Sequence, residues 1–328
     1  MRLTAPLRNS HKRYRPSLPD NMSTKEQENL LSQALPLSLP LHIMFKKQST
    51  SRLSKKLRPH IFTGQTPEGC FIQIDDNFAD DIDDNLYDDV DANRDYNLYV
   101  SSPEFCFLQM AGKYALLGLI ELGYELCGSY SMPAAKSAAG DSRAPVKGFY
   151  DRPPLTSTRK LAAFLTRMPG AKGHQKAIRA LRYILDGSAS PMETKLSMFL
   201  TLPYKLGGFG FPKPELNRRI IPSKINKHFS DKIFFVCDLF WPDHDLAVEY
   251  DSEQFHTGRD KIADDSKKRN SLTMMGITVI TVTKTQIFDR TEFEKVVGVL
   301  SKCLKKRLRF KNPQFAEIHN ELRELLLF

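Results

Sequence analysis

The alternation of apolar and polar positions divides the chain into stretches of different character. Residues 1–34 are polar and basic, carry no apolar period, and read as a flexible arm. Over 41–71 the runs LHIMF, HIF and CFIQI predict short strands, with a basic loop at 46–58 between them. From residue 99, YVSSPEFCFLQMAGKY predicts a helix: Ser102 can accept from the first turn, and Pro103 suits the first helical position, where no N–H is needed. A second helix is expected over 116–127. A loop rich in Gly, Ser, Ala and Pro follows over 129–152, then helices over 157–168 and 174–185 around a glycine turn.

Ser190-Pro191-Met192-Glu193 repeats the same helix-start chemistry and leads into a helix ending near residue 202. Beyond the glycine-rich loop at 207–210 the pattern turns to strands, at 219–221, 233–240 and 246–250. A helix over 260–275, an apolar β-branched strand over 277–282, and helices over 292–308 and 313–327 complete the chain. This order predicts an α/β fold whose C-terminal part is one mixed sheet flanked by helices. The domain reading is a basic arm (1–34), an N-terminal α/β accessory domain (35–130), a loop with linking helices (131–187), the sheet domain (188–310) and a C-terminal helix (311–328).

Charge narrows the choice of partner. A net charge of +10 and a pI near 9.3 favour a polyanion, because Lys and Arg release counterions from phosphates. Five scattered cysteines without a CxxC pair suggest neither a zinc knuckle nor a disulfide framework, and fit free thiols in a reducing cytosol. The apolar stretch at 35–45 is short and broken by Pro36 and Pro40, so a cytoplasmic protein with no membrane partner is expected. The acidic run over 75–91 lacks the glycine and closing glutamate of a calcium loop and reads as a solvated insertion.

The candidate chemistry lies on two neighbouring strands. Asp238 ends the run IFFVCD; Glu249 and Asp251 lie in LAVEYD, on one face of their strand by period-two geometry. The short WPDHD turn would bring Asp238 within reach of that pair. Crowded carboxylates repel one another and lose water, and a hard cation, Mg²⁺ or Mn²⁺, is the usual compensation. Such a metal activates water against a phosphodiester.

The stretches SPMETKLSMFL, VCDLFWPDHDLAVEYD, QFHTG and DDSKKRNSLTMMGITVITVT, roughly 188–310, resemble the restriction-endonuclease-like superfamily. More closely, they resemble the nuclease-like family related to very-short-patch repair endonucleases. The resemblance implies metal ligands at Glu193, Asp238, Glu249 and Asp251. It also implies catalytic roles for Asp238, Glu249, Asp251, His256 and Lys268, and matches a D–R–L–G pattern at Asp265, Lys268, Leu272 and Gly276. Asp251 stands where the superfamily's ExK motif has lysine, so His256, Gln254 or Lys268 would supply the missing proton or charge role. Residues 36–130, through LPLHIMF, Pro59-His60, YVSSPEFCFLQMAG and ELGYELCG, are similar to the domain of abortive-infection-type antitoxins and regulators, which implies a DNA or protein partner for this half.

Plainer roles stand beside these. Glu193 can complete a capping box with Ser190. Asp251 can pair with Arg259 or Lys268, and Asp265 with Lys268 along their helix. Lys302, Lys305, Lys306, Arg307, Arg309 and Lys311 form either a solvated face or a phosphate contact. The expected function is a metal-dependent DNA endonuclease, with a non-catalytic DNA-binding regulator on the same scaffold as the alternative.

Overall fold

The computed structural model describes residues 22–33, 41–47, 53–74, 98–133, 148–222, 233–251, 259–308 and 313–328. The acidic run at 75–91 therefore lies outside the described residues. In chain order the first elements are α1 (Thr24–Gln33), β1 (Leu41–Phe45), β2 (Leu57–Ile61), β3 (Phe71–Ile74), β4 (Leu98–Ser101), α2 (Pro103–Ala111) and α3 (Leu116–Cys127). Then come β5 (Tyr130–Ser131), β6 (Tyr150–Asp151), α4 (Thr158–Thr166), α5 (His174–Leu181) and α6 (Pro191–Thr201). The remainder is β7 (Glu215–Ile220), β8 (Phe235–Trp241), β9 (Leu246–Asp251), α7 (Arg259–Met274), β10 (Thr278–Thr283), α8 (Lys284–Phe288), α9 (Arg290–Cys303) and α10 (Pro313–Leu327). Among the described residues no helix is long and apolar enough to cross a membrane. All five cysteines are free thiols.

Two compact units make up the chain. One comprises 1–113 and 162–175, the other 114–161 and 176–328, divisions that fall elsewhere than the composition-based boundaries at 130 and 188. In the first unit β1 and β2 pair in parallel and β3 and β4 antiparallel. Ser102 caps α2 as its sequence predicts, accepting from the Phe105 N–H at 3.2 Å, with Pro103 behind it. The core is aromatic: Phe105 takes Phe62 edge-on at 5.0 Å and Phe71 at 5.5 Å. Part of the expected arm is ordered after all. Residues 24–33 form α1 because Ser23 and Glu26 close a reciprocal cap, Ser23 N–H to Glu26 Oε2 at 2.6 Å and Glu26 N–H to Ser23 Oγ at 3.3 Å.

The second unit is built on one mixed sheet in the order β10-β9-β8-β7. β7–β8 and β8–β9 are antiparallel and β9–β10 parallel. Asp245 turns β8 into β9 with φ at 42°, and its carbonyl accepts from Thr278 N–H at 2.8 Å, tying the turn to β10. Leu272 of α7 joins Phe235, Cys237, Phe240, Ala247 and Ile277 in a buried cluster on this sheet. The mixed α/β architecture expected of this region is present. Several segment boundaries differ, three of them in ways that matter. The expected loop at 129–152 contains the short antiparallel pair β5–β6. β7 starts at Glu215 rather than near 219, and Ile221 lies past its end, 70% exposed. α9 stops at Cys303, where Lys305 turns with φ at 50°, so Lys305, Lys306 and Arg307 follow the helix rather than continue it.

The C-terminal helix closes this unit. His319 Nδ1 bonds the Gly207 carbonyl at 2.6 Å, and its ring packs among Phe199, Phe209 and Phe315. Arg323 donates to the carbonyls of Ile287 and Phe288 at 2.9 and 2.8 Å, capping the end of α8. Gly207 is needed at this approach. Its φ is 84°, and a Cβ there would stand 2.7 Å from the Ile318 carbonyl oxygen.

Candidate active site

The helix start at Ser190-Pro191 sets Glu193 on the first turn of α6, where it is buried. Its carboxylate is taken up by donors. Oε2 accepts from Ala189 N–H at 2.8 Å and from Asn217 Nδ2 at 2.6 Å, and Oε1 accepts from Ser190 Oγ at 2.9 Å. Burial and then repulsion from Asp238 push its pKa up to about 7, against those three bonds.

Asp238 lies on β8 and Glu249 on β9. The ladder pairs Leu239 with Val248, so the register carried one residue further sets Asp238 opposite Glu249. At that point Asp238 Oδ2 accepts the Tyr250 N–H at 2.8 Å. Burial raises the Asp238 pKa, and the Tyr250 bond and the Lys268 charge oppose the rise. Burial, followed by Asp238, pushes Glu249 up to about 7 as well. One oxygen of Glu249, Oε2, accepts from Lys268 Nζ at 2.7 Å; the other, Oε1, is buried without a hydrogen-bond partner. An unpaired buried carboxylate oxygen is costly, of order a few kcal/mol.

Lys268 reaches this position from α7, one helical turn before the buried Leu272, so it shares the sheet-facing side of its helix. Burial opposes its charge, but Glu249 and Asp238 outweigh it and the pKa is raised. Lys268 bonds Glu249 across to β9, and Asp265 is exposed one turn earlier. Gly276, with φ at 82°, ends α7 and releases the chain into β10.

Asp251 is half-buried at the last position of β9, two residues beyond Glu249. His256, Gln254 and the Arg259 side chain lie outside the described residues, as do Arg309 and Lys311. Two contributors escaped the sequence reading. Asn217 has φ at 48° and ties the Gly187 carbonyl to Glu193; the available signal was an asparagine inside a strand, where asparagine is depleted. Cys237 is the other: burial and then the nearby Glu249 carboxylate drive its thiol pKa up to about 12.

Mg²⁺ commonly takes one or two protein carboxylates and keeps several waters. Glu193 fits poorly, because both of its oxygens already serve protein donors. Asp238 and Glu249 fit better, Glu249 Oε1 being a buried acceptor with no donor. Among the described residues no group of three or more His, Cys, Asp or Glu side chains is arranged around one ion position. No family model, curated protein or solved structure matches the chain.

Proposed function

We propose that the second unit is a restriction-endonuclease-like domain and that the chain is a metal-dependent DNA endonuclease. The observation that carries this reading is the Asp238–Glu249–Lys268 group, two partly buried acids on adjacent strands and a lysine 2.7 Å from Glu249. Glu249 Oε1 and Asp238 would hold Mg²⁺ or Mn²⁺, which would supply an activated water and charge for the phosphodiester. Lys268 takes the charge role that Asp251 cannot fill, and Glu193 orients the N-terminal turn of α6 beside Asp238 rather than binding the ion. The net charge of +10 favours a DNA partner.

Supercoiled plasmid incubated with Mg²⁺ or Mn²⁺ tests this. Nicking by the wild type should fall by about a thousandfold in Asp238→Ala and Glu249→Ala, some 4 kcal/mol of lost transition-state stabilisation, with folding verified by circular dichroism. A wild type that never nicks but binds DNA equally well in chelator would sink the enzyme. It would favour a non-catalytic DNA-binding regulator, a reading supported by the full hydrogen-bond occupancy of Glu193.

A further inference from the structure

The first unit carries a polar cluster of its own. The parallel register pairs His42 with Arg58 and Met44 with His60, so these side chains share one face of the β1–β2 pair. Phe45 and Leu57, at the alternate positions, are buried in the core. On the polar face the His42 and His60 rings lie parallel, 10° apart in plane and 4.8 Å between centroids, with His42 Nδ1 2.6 Å from His60 Nε2. Lys113, just past the end of α2, brings its Nζ to 3.2 Å from His60 Nδ1.

Counting protons fixes how these groups are joined. An ammonium only donates, so His60 Nδ1 must accept. His60 then carries its proton on Nε2 and donates to His42 Nδ1, which leaves the His42 proton on Nε2. A further proton on either ring would set N–H against N–H, at Lys113 or between the rings. Only an added acceptor could relieve that. The surroundings are positive throughout: besides burial, Lys113 and Arg58 depress His42, and Lys113 and His42 depress His60. A transition metal does not suit the place. Two metal–nitrogen bonds need about 2 Å each, whereas these nitrogens are 2.6 Å apart and already joined.

We propose that His42, His60 and Lys113, with Arg58 beside them, form a phosphate-binding patch that grips a nucleic-acid backbone and takes up protons as it does so. The choice of nucleic acid rests on the DNA reading above. The phosphate oxygens replace the ring-to-ring and lysine-to-ring bonds as acceptors, and both imidazoles become cationic donors.

The test uses the full chain in chelator, so that cleavage plays no part. Fluorescence anisotropy follows a short labelled duplex at several salt concentrations as pH is lowered from about 8 to about 6, across the histidine range. Wild-type affinity at ~0.1 M salt should rise about tenfold for each phosphate newly engaged, and the salt slope should steepen by about 0.9 per phosphate. The His42→Asn/His60→Asn double variant should lose both changes. If it keeps the wild-type pH response and salt slope, the patch is not a phosphate site, whatever the nicking assay shows. Histidine ring NMR of the wild type, titrated with inorganic phosphate, guards against a misfolded variant: the His42 and His60 midpoints should rise. Raised midpoints without duplex binding would overturn the nucleic-acid assignment, leaving a small-anion site. No response to either probe would overturn the patch itself.

Discussion

Each unit holds a cluster of strand-borne titratable side chains served by one lysine, and the two clusters respond to opposite charges. In the second unit Asp238 and Glu249 lie together, partly buried; burial raises both pKa values, and repulsion from Asp238 adds to the rise at Glu249, despite Lys268. In the first unit His42 and His60 are only partly covered, and burial with neighbouring positive charge lowers both. One cluster is short of cations and the other short of anions. The lesson is that a site's unmet demand shows in the sign of its strain, so the ion it wants can be named before any ligand is seen.

The sharpest way to break this contrast is to remove the lysines one at a time. Lys268→Met strands both Glu249 oxygens in a largely buried place. We expect a loss of about 3 kcal/mol in denaturant unfolding, the low end for a broken buried pair because Glu249 can take up a proton. Nicking should fall by at least about a hundredfold. An unchanged unfolding midpoint would mean that the pair is screened like any surface bridge.

The next effect is a difference of sign. Glu193 and Glu249 hold protons near pH 7 that the unfolded chain releases near 4.5. Their contribution is therefore complete below about 4.5 and is lost as pH rises through about 7. His42 and His60 refuse, in the fold, protons that the unfolded chain binds below 6.5. Their contribution is present above 6.5 and is lost as pH falls through their lowered values. Metal-free unfolding measured against pH should thus flatten on the alkaline side in Glu249→Gln and on the acid side in the histidine double variant. Parallel shifts of the whole curve in both would refute the assignment. The smallest effect belongs to Lys113→Met: its side chain is exposed, and stability should stay within about 0.5 kcal/mol of wild type.

What could be read from the sequence was what is local. Ser102-Pro103 and Ser190-Pro191 announce their helices because a cap is satisfied within a few residues. Asp238 and Glu249 stood out as acids in apolar strand runs, and Lys268 as one choice for the role missing at Asp251. What stayed hidden depends on partners distant in the chain. His42 meets His60 only through the parallel register of β1 and β2, 18 residues apart. Asn217 reaches Glu193 across 24 residues, and an asparagine within a strand marks the left-handed turn but not the partner. The α1 cap was local and still missed, because a polar, basic composition masked the Ser-x-x-Glu spacing at 23–26.

The seating of the last helix limits how the molecule can be cut. The proposed nuclease-like domain would end near residue 310, which makes that point a tempting end for a recombinant fragment. A chain stopped there would lose Arg323 from the Ile287 and Phe288 carbonyls and His319 from the Gly207 carbonyl. It would also uncover the rings of Phe199 and Phe209, opening a sticky apolar seam next to the helix that carries Glu193. An inactive or aggregating fragment of that length would report on its missing lid, and say nothing about the chemistry of the strands.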